Sequence, residues 1–318
     1  MTEIDPIETL LKATGRRPAV SVDRTDRVRE VVHAHWRSEM ARCARRRRIG
    51  WVLSMASAAA AVAVVGLGIH MLRSPSPPEP SGVSVERVWN VAQLSVGSIL
   101  PRNLAITTGP DARVALRAAT GHSVRLDFDT TLTVRAGGVF ALQQGAVYVD
   151  SERGDASSIA SITIETPIAA IEDKGTQFEA RLAGEALSVR VREGVVTVQR
   201  RDERFVANAG QSLRLEASGE PILSEDDGTG ASWEWVTAIA PMMEIEGKSL
   251  REFLDWIARE RGVRVRFEDA QLAEKAPNIM LNGSIAGMTL EQATTSVLAT
   301  SGLSHRWERD ALIVGARK

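Results

Sequence analysis

A single cysteine, Cys43, stands in 318 residues, so the chain can neither close a disulfide on itself nor assemble a cysteine-based metal site. Net charge is also nearly absent. The 39 Lys and Arg are matched by 40 Asp and Glu, which leaves no overall field to attract nucleic acid. Catalytic signatures are missing: no GxSxG, HExxH, P-loop or GxGxxG run occurs. The five histidines, His33, His35, His70, His122 and His305, are scattered. His33 and His35 lie two apart, a spacing that does not place them on one helix face. The acidic residues at 225–227 read as a solvated charge run. These absences give the expectation of a protein that is not an enzyme and carries no metal or cofactor.

Charge is missing altogether from Gly50 to Leu72, an apolar run of 23 residues. At about 1.5 Å per residue, roughly 20 residues cross a bilayer core, so residues 49–72 are expected to form a single transmembrane helix in contact with lipid. A cleaved signal peptide fits less well, because 48 residues precede the expected helix. Arg45, Arg46, Arg47 and Arg48 stand directly before it and Arg73 alone directly after. Basic residues stay on the cytoplasmic side, so these four arginines set the topology, with the N-terminus inside and residues from 73 onward outside. The proline-rich 73–82 should be an extended spacer.

Residues 1–48 are too few to bury much core alone. Asp23 can cap a helix through Val28, Val31, Val32, His35, Trp36 and Met40, which share one face. That arm either continues the membrane helix or buries Val28, Val32 and Trp36 in a cytoplasmic partner.

From 83 to 222 the pattern becomes short alternating runs with turns. In 113–129, Val114, Leu116, Val124, Leu126 and Phe128 alternate with Arg117, Arg125, Asp127 and Asp129, and 187–199 repeats the scheme around Glu193-Gly194. Period-two alternation predicts half-buried strands and an all-β sandwich, barrel or solenoid, with no helix. Gly145, Gly194 and Gly210 read as turn residues, and Tyr148, the only tyrosine, as core.

The runs LQQGAVYVDSERG (142–154), ITIETPIAAIEDKGTQFEAR (162–181), LSVRVREGVVTVQ (187–199) and ANAGQSLRL (207–215) resemble, in order and spacing, the FecR domain of transmembrane iron-sensing regulators. The resemblance implies a β-solenoid-like periplasmic module in cell-surface signalling. In such relays a TonB-dependent outer-membrane receptor passes ligand status to the regulator, which acts as an anti-sigma factor or sigma modulator on a cytoplasmic extracytoplasmic-function sigma factor. Some FecR-like regulators are described as self-cleaving at a Gly-Thr bond matching Gly175-Thr176. The plainer reading of the pair is a close strand approach followed by the strand TQFEAR.

After a linker expected at 223–232, residues 233–318 predict a small α/β domain of two strand–helix–strand units. Strands are expected at 242–247, 263–268, 278–287, 303–308 and 311–316, with helices at 249–262, capped by Ser249 and stopped by Gly262, and 289–302. The turns Gly247-Lys248-Ser249-Leu250 and Ala286-Gly287-Met288-Thr289-Leu290, with Ser301-Gly302-Leu303, resemble the short N-terminal domain of secretins and TonB-dependent receptors. That resemblance implies a docking module. The whole is expected to be a single-pass inner-membrane regulator with a periplasmic C-terminus; the alternative is an envelope scaffold or polymer-binding protein that transmits nothing inward.

Overall fold

The computed structural model describes residues 79–151, 161–173 and 175–317, together with Glu30. From residue 79 onward these belong to one compact unit, Pro77–Lys318. The expected arm, the apolar run at 49–72 and Arg45 to Arg48 lie outside the described residues, as do Val28, Val32 and Trp36. Among the described residues no helix is long and apolar enough to cross a membrane. The expected spacer ends early, because its last residues already belong to the first strand.

Fifteen strands follow in sequence. They are β1 (Pro80–Trp89), β2 (Ile99–Pro101), β3 (Leu104–Thr107), β4 (Arg113–Arg117), β5 (Ser123–Leu126), β6 (Thr131–Val134) and β7 (Val139–Asp150). Next come β8 (Thr163–Glu165), β9 (Ala170–Asp173), β10 (Gln177–Ala183), β11 (Ala186–Glu193) and β12 (Val195–Arg200). The series ends with β13 (Glu203–Asn208), β14 (Gln211–Glu216) and β15 (Ile222–Glu225).

The long strand β7 joins two sheets. Its first half pairs with β6 and β8 and continues through β9, β12 and β13; its second half pairs with β5 and β10 and continues through β11, β14 and β15. The change of partners falls at Gly145, whose φ of 87° is open to glycine. A Cβ there would run into Thr130. Leu116, Val124 and Val149 of one sheet meet Phe140, Ile164 and Val198 of the other in a single apolar core. Every strand pairing in this domain is antiparallel except β7 with β8. A solenoid would stack its coils in parallel, so the solenoid-like expectation gives way to two sheets folded over a shared core.

The C-terminal part begins with a 3₁₀ turn (Ala231–Trp233) and α1 (Glu234–Ala238), then α2 (Leu250–Arg261), β16 (Arg264–Phe267) and α3 (Ala270–Lys275). It closes with α4 (Leu290–Thr300), β17 (Leu303–Trp307) and β18 (Ala311–Ala316). The sheet order is β16-β18-β17, with β16 parallel and β17 antiparallel to β18. Ser249 with Glu252, and Thr289 with Gln292, form reciprocal capping boxes that satisfy the first free N–H groups of α2 and α4. Left-handed Gly262 ends α2. Phe253, Leu254 and Ile257 pack with Val297, Leu312 and Val314.

Two expected strands are corrected. Segments 242–247 and 278–287 are irregular, and the second makes only an isolated bridge, Met280 with Ser249 at the start of α2. Pro241 and Gly247 bracket the first, and Pro277, Gly283 and Gly287 punctuate the second, so neither can sustain a ladder. The expected linker at 223–232 starts inside β15 and is then fastened: Asp226 N donates to Gly210 O at 2.9 Å, and Arg192 Nε donates to Gly228 O at 2.8 Å.

Candidate functional site

The Gly175-Thr176 junction lies between β9 and β10. Gly175 has a φ of 76°, and Thr176 is buried. Gly194, in the turn between β11 and β12, presses on it: a Cβ there would stand 2.6 Å from Thr176 Cγ2 and 2.9 Å from Gly175 O. The close approach read from the sequence is therefore real, and it is made by a second glycine. Thr176 Oγ1 donates to Asp173 Oδ1 at 2.7 Å, and Thr176 N donates to the same oxygen at 3.2 Å. Behind the carboxylate, His122 Nε2 lies 3.2 Å from Asp173 Oδ2. The two are close enough for an ion pair but not aligned as a hydrogen bond. His122 Nδ1 is 2.8 Å from Thr120 Oγ1. The carbonyl of Thr176 accepts from Ser151 N at 3.1 Å and Ser151 Oγ at 2.9 Å.

Next to this junction, the outer face of the sheet through β5, β7, β10 and β11 carries a row of polar groups in register. Arg125 stands opposite Tyr148, Tyr148 opposite Glu179, and Glu179 opposite Arg190. Alternation with Val124 and Leu126 puts Arg125 on the face away from the apolar core. The C-terminal part covers that face. Arg125, 1% exposed, makes a bidentate pair with Glu260 of α2 at 2.6 and 2.8 Å, and also donates to Val236 O at 3.0 Å. Glu179, equally buried, accepts from Trp235 Nε1 at 2.8 Å, Arg190 at 2.7 Å and Arg181 at 3.0 Å. Trp233 sits edge-on to Tyr148 at 6.2 Å, and the guanidiniums of Arg190 and Arg192 lie 4.4 and 4.3 Å from its ring centre.

Burial alone would favour neutral Arg125, but the charge and hydrogen bonds of Glu260 outweigh it and hold the guanidinium above its ordinary value. Tyr148 is pushed up, first by burial and then by the charge of Asp150. Its hydroxyl has no protein partner among the described residues. At the end of α2, Arg259 pairs with Asp150 and donates to Ser151 O at 2.8 Å and to Glu193 at 2.9 Å. Gln177, next to Thr176, donates to Asp150 Oδ2 at 2.9 Å. The seam therefore runs from α2 through Arg259 and Ser151 to the carbonyl of Thr176.

Of the residues singled out from sequence, Gly175 and Thr176 are brought into a polar cluster, and Tyr148 is buried as expected. His122, Asp173, Arg125 and Glu260 were not identified, and no local signal marks them: the partner of Arg125 lies 135 positions away. Among the described residues no three His, Cys, Asp or Glu side chains converge as a metal site.

A two-sheet β domain fused through buried charge to a small α/β module is the architecture these contacts define. Residues 105–197 match the sequence model of the family described as FecR protein. The match spans 93 of the 318 residues, so part of the β domain is similar to that family. Two crystal structures of a protein from Parabacteroides distasonis, provisionally named an anti-sigma factor, align with 68% and 66% of this chain and with 99% and 98% of theirs. Both have 14% identity and a TM-score of 0.36, too low to carry fold or function across. No curated protein matches the chain.

Proposed function

We propose that the chain is a single-pass inner-membrane regulator, an anti-sigma factor or sigma modulator, that relays a periplasmic signal to an extracytoplasmic-function sigma factor. The observation that carries this reading is the FecR-family domain at 105–197, joined to the C-terminal module by the Arg125–Glu260 pair. A module fixed in this way moves with the β domain, so a docking event on one is felt by the other. The module offers the strand edges of β16 and β17 to a TonB-dependent receptor's signalling domain. The uncharged run and its flanking arginines support the membrane span and its orientation. Within this reading the Gly175-Thr176 bond is a site of self-cleavage, a role supported by the positive φ of Gly175 and the polar environment of Thr176.

Two measurements test the proposal. Alkaline phosphatase fused after Lys318 should be active and the same fusion after Arg48 inactive; the reverse pattern refutes the orientation. Residues 1–48 used as bait in native membranes and cytosol should retain the sigma factor. The Val28→Ser, Val32→Ser, Trp36→Ser arm should not. Equal recovery by both arms, or recovery by neither with the sigma factor present, refutes sigma binding through this face and favours the envelope-scaffold reading.

A further inference from the structure

At Thr176 the hydroxyl and the residue's own backbone N–H donate to one and the same oxygen, Asp173 Oδ1, at 2.7 and 3.2 Å. These are the two atoms between which a proton must pass when a hydroxyl replaces the amide nitrogen on the preceding carbonyl. We propose that Asp173 is a catalytic residue that carries this proton during scission of Gly175-Thr176, with His122 as the residue that positions it. The inference rests on the self-cleavage reading above.

The step balances without any further reactant. Thr176 Oγ1 attacks the carbonyl carbon of Gly175 while Asp173 Oδ1 takes the hydroxyl proton, and the carbonyl oxygen carries the negative charge of the tetrahedral intermediate. As the carbonyl reforms, the C–N bond breaks and Asp173 Oδ1 returns the proton to Thr176 N. Gly175 is then held as an ester on Thr176 Oγ1, beside a free amine. One water hydrolyses the ester, leaving a carboxylate at Gly175 and restoring the Thr176 hydroxyl. Gly175 is half-buried while Thr176 is enclosed, so the side of the bond that must meet water is the accessible one.

His122 explains how the carboxylate keeps one oxygen turned toward Thr176. His122 Nδ1 lies 2.8 Å from the Thr120 hydroxyl and Nε2 lies 3.2 Å from Asp173 Oδ2, so the ring is held against the oxygen that faces away from Thr176. Both side chains are buried, at 2% and 0% exposure, so the pair is fixed by packing. His122 does not touch Thr176, so its role is to position the Asp173 carboxylate by packing against it.

The test uses the full chain, tagged at both ends and purified from membranes, with appearance of the 1–175 and 176–318 fragments followed by mass. Wild type and Thr176→Ser should cleave and Thr176→Ala should not. Asp173→Asn should slow cleavage about 100-fold or more, the usual contribution of a positioned general base. Hydroxylamine, which opens esters, should not restore it, because the ester never forms. Asp173→Glu should recover part of the rate, and His122→Gln should recover more than His122→Ala. Should Asp173→Asn fail to fold, the wild-type rate in D2O decides: slowing supports proton transfer in the rate-limiting step, and an unchanged rate overturns it. Cleavage of Asp173→Asn at the wild-type rate, or its full rescue by hydroxylamine, overturns the relay while leaving self-cleavage standing. A wild-type chain that stays intact overturns both.

Discussion

Among single side chains, the loss of one partner from Arg125–Glu260 has the largest expected cost. Glu260→Ala leaves a guanidinium enclosed without its counter-charge and should destabilise the Pro77–Lys318 unit by about 3–5 kcal/mol in urea unfolding. Replacing both by leucine should recover most of that loss, since a buried pair contributes little beyond what an apolar pair of similar size would. Tyr148 offers a second test, because the chain has no other tyrosine. Burial raises its folded value above the unfolded one of about 10. The folded state then favours the neutral phenol, and this preference costs nothing below pH about 10. As pH rises through that value the unfolded chain ionises and the folded chain does not, so stability falls. Phenolate absorbance should appear only with unfolding, and Tyr148→Phe should remove this part of the alkaline loss. Phenolate appearing at pH about 10 in the folded protein would contradict the burial of this ring.

Among the elements, β7 holds the β domain together by serving both sheets, and Gly145 is where it changes partners. Gly145→Ala forces a side chain into the left-handed region and into Thr130, and should cost about 1–3 kcal/mol. Ser249→Ala should cost about 1 kcal/mol by opening the capping box of α2. Elements set by local pattern were legible in the sequence: the alternating strands, Ser249 and Gly262 at the ends of α2, and the strands β16 to β18. Elements set by distant partners were not. The five residues of α1 carry no helical period, and the segment exists because Trp233 and Trp235 have Tyr148 and Glu179 to meet. Arg125 and Asp127 read as solvent-facing because alternation reports which face lies away from the core, not what later covers that face. His122 and Asp173 were invisible for the same reason, being joined only by the folding of β5 and β9.

For the molecule as a whole, buried charge joining the β domain to the α/β module implies one cooperative unit. The Pro77–Lys318 segment should unfold in a single transition, and Glu260→Ala should split it in two; two transitions in the parent would contradict the tight seam. In the proposed relay, the hydrogen bonds from Arg259 of α2 to Ser151 and from Ser151 to the Thr176 carbonyl are the route by which a displacement of the module would reach that bond. The most direct test of the regulator reading is transcription from a promoter read by the sigma factor in the native host. It compares the full chain with the Val28→Ser, Val32→Ser, Trp36→Ser variant at matched membrane abundance. The variant should uncouple transcription from the inducing signal. Identical signal-dependent transcription in both strains would contradict it.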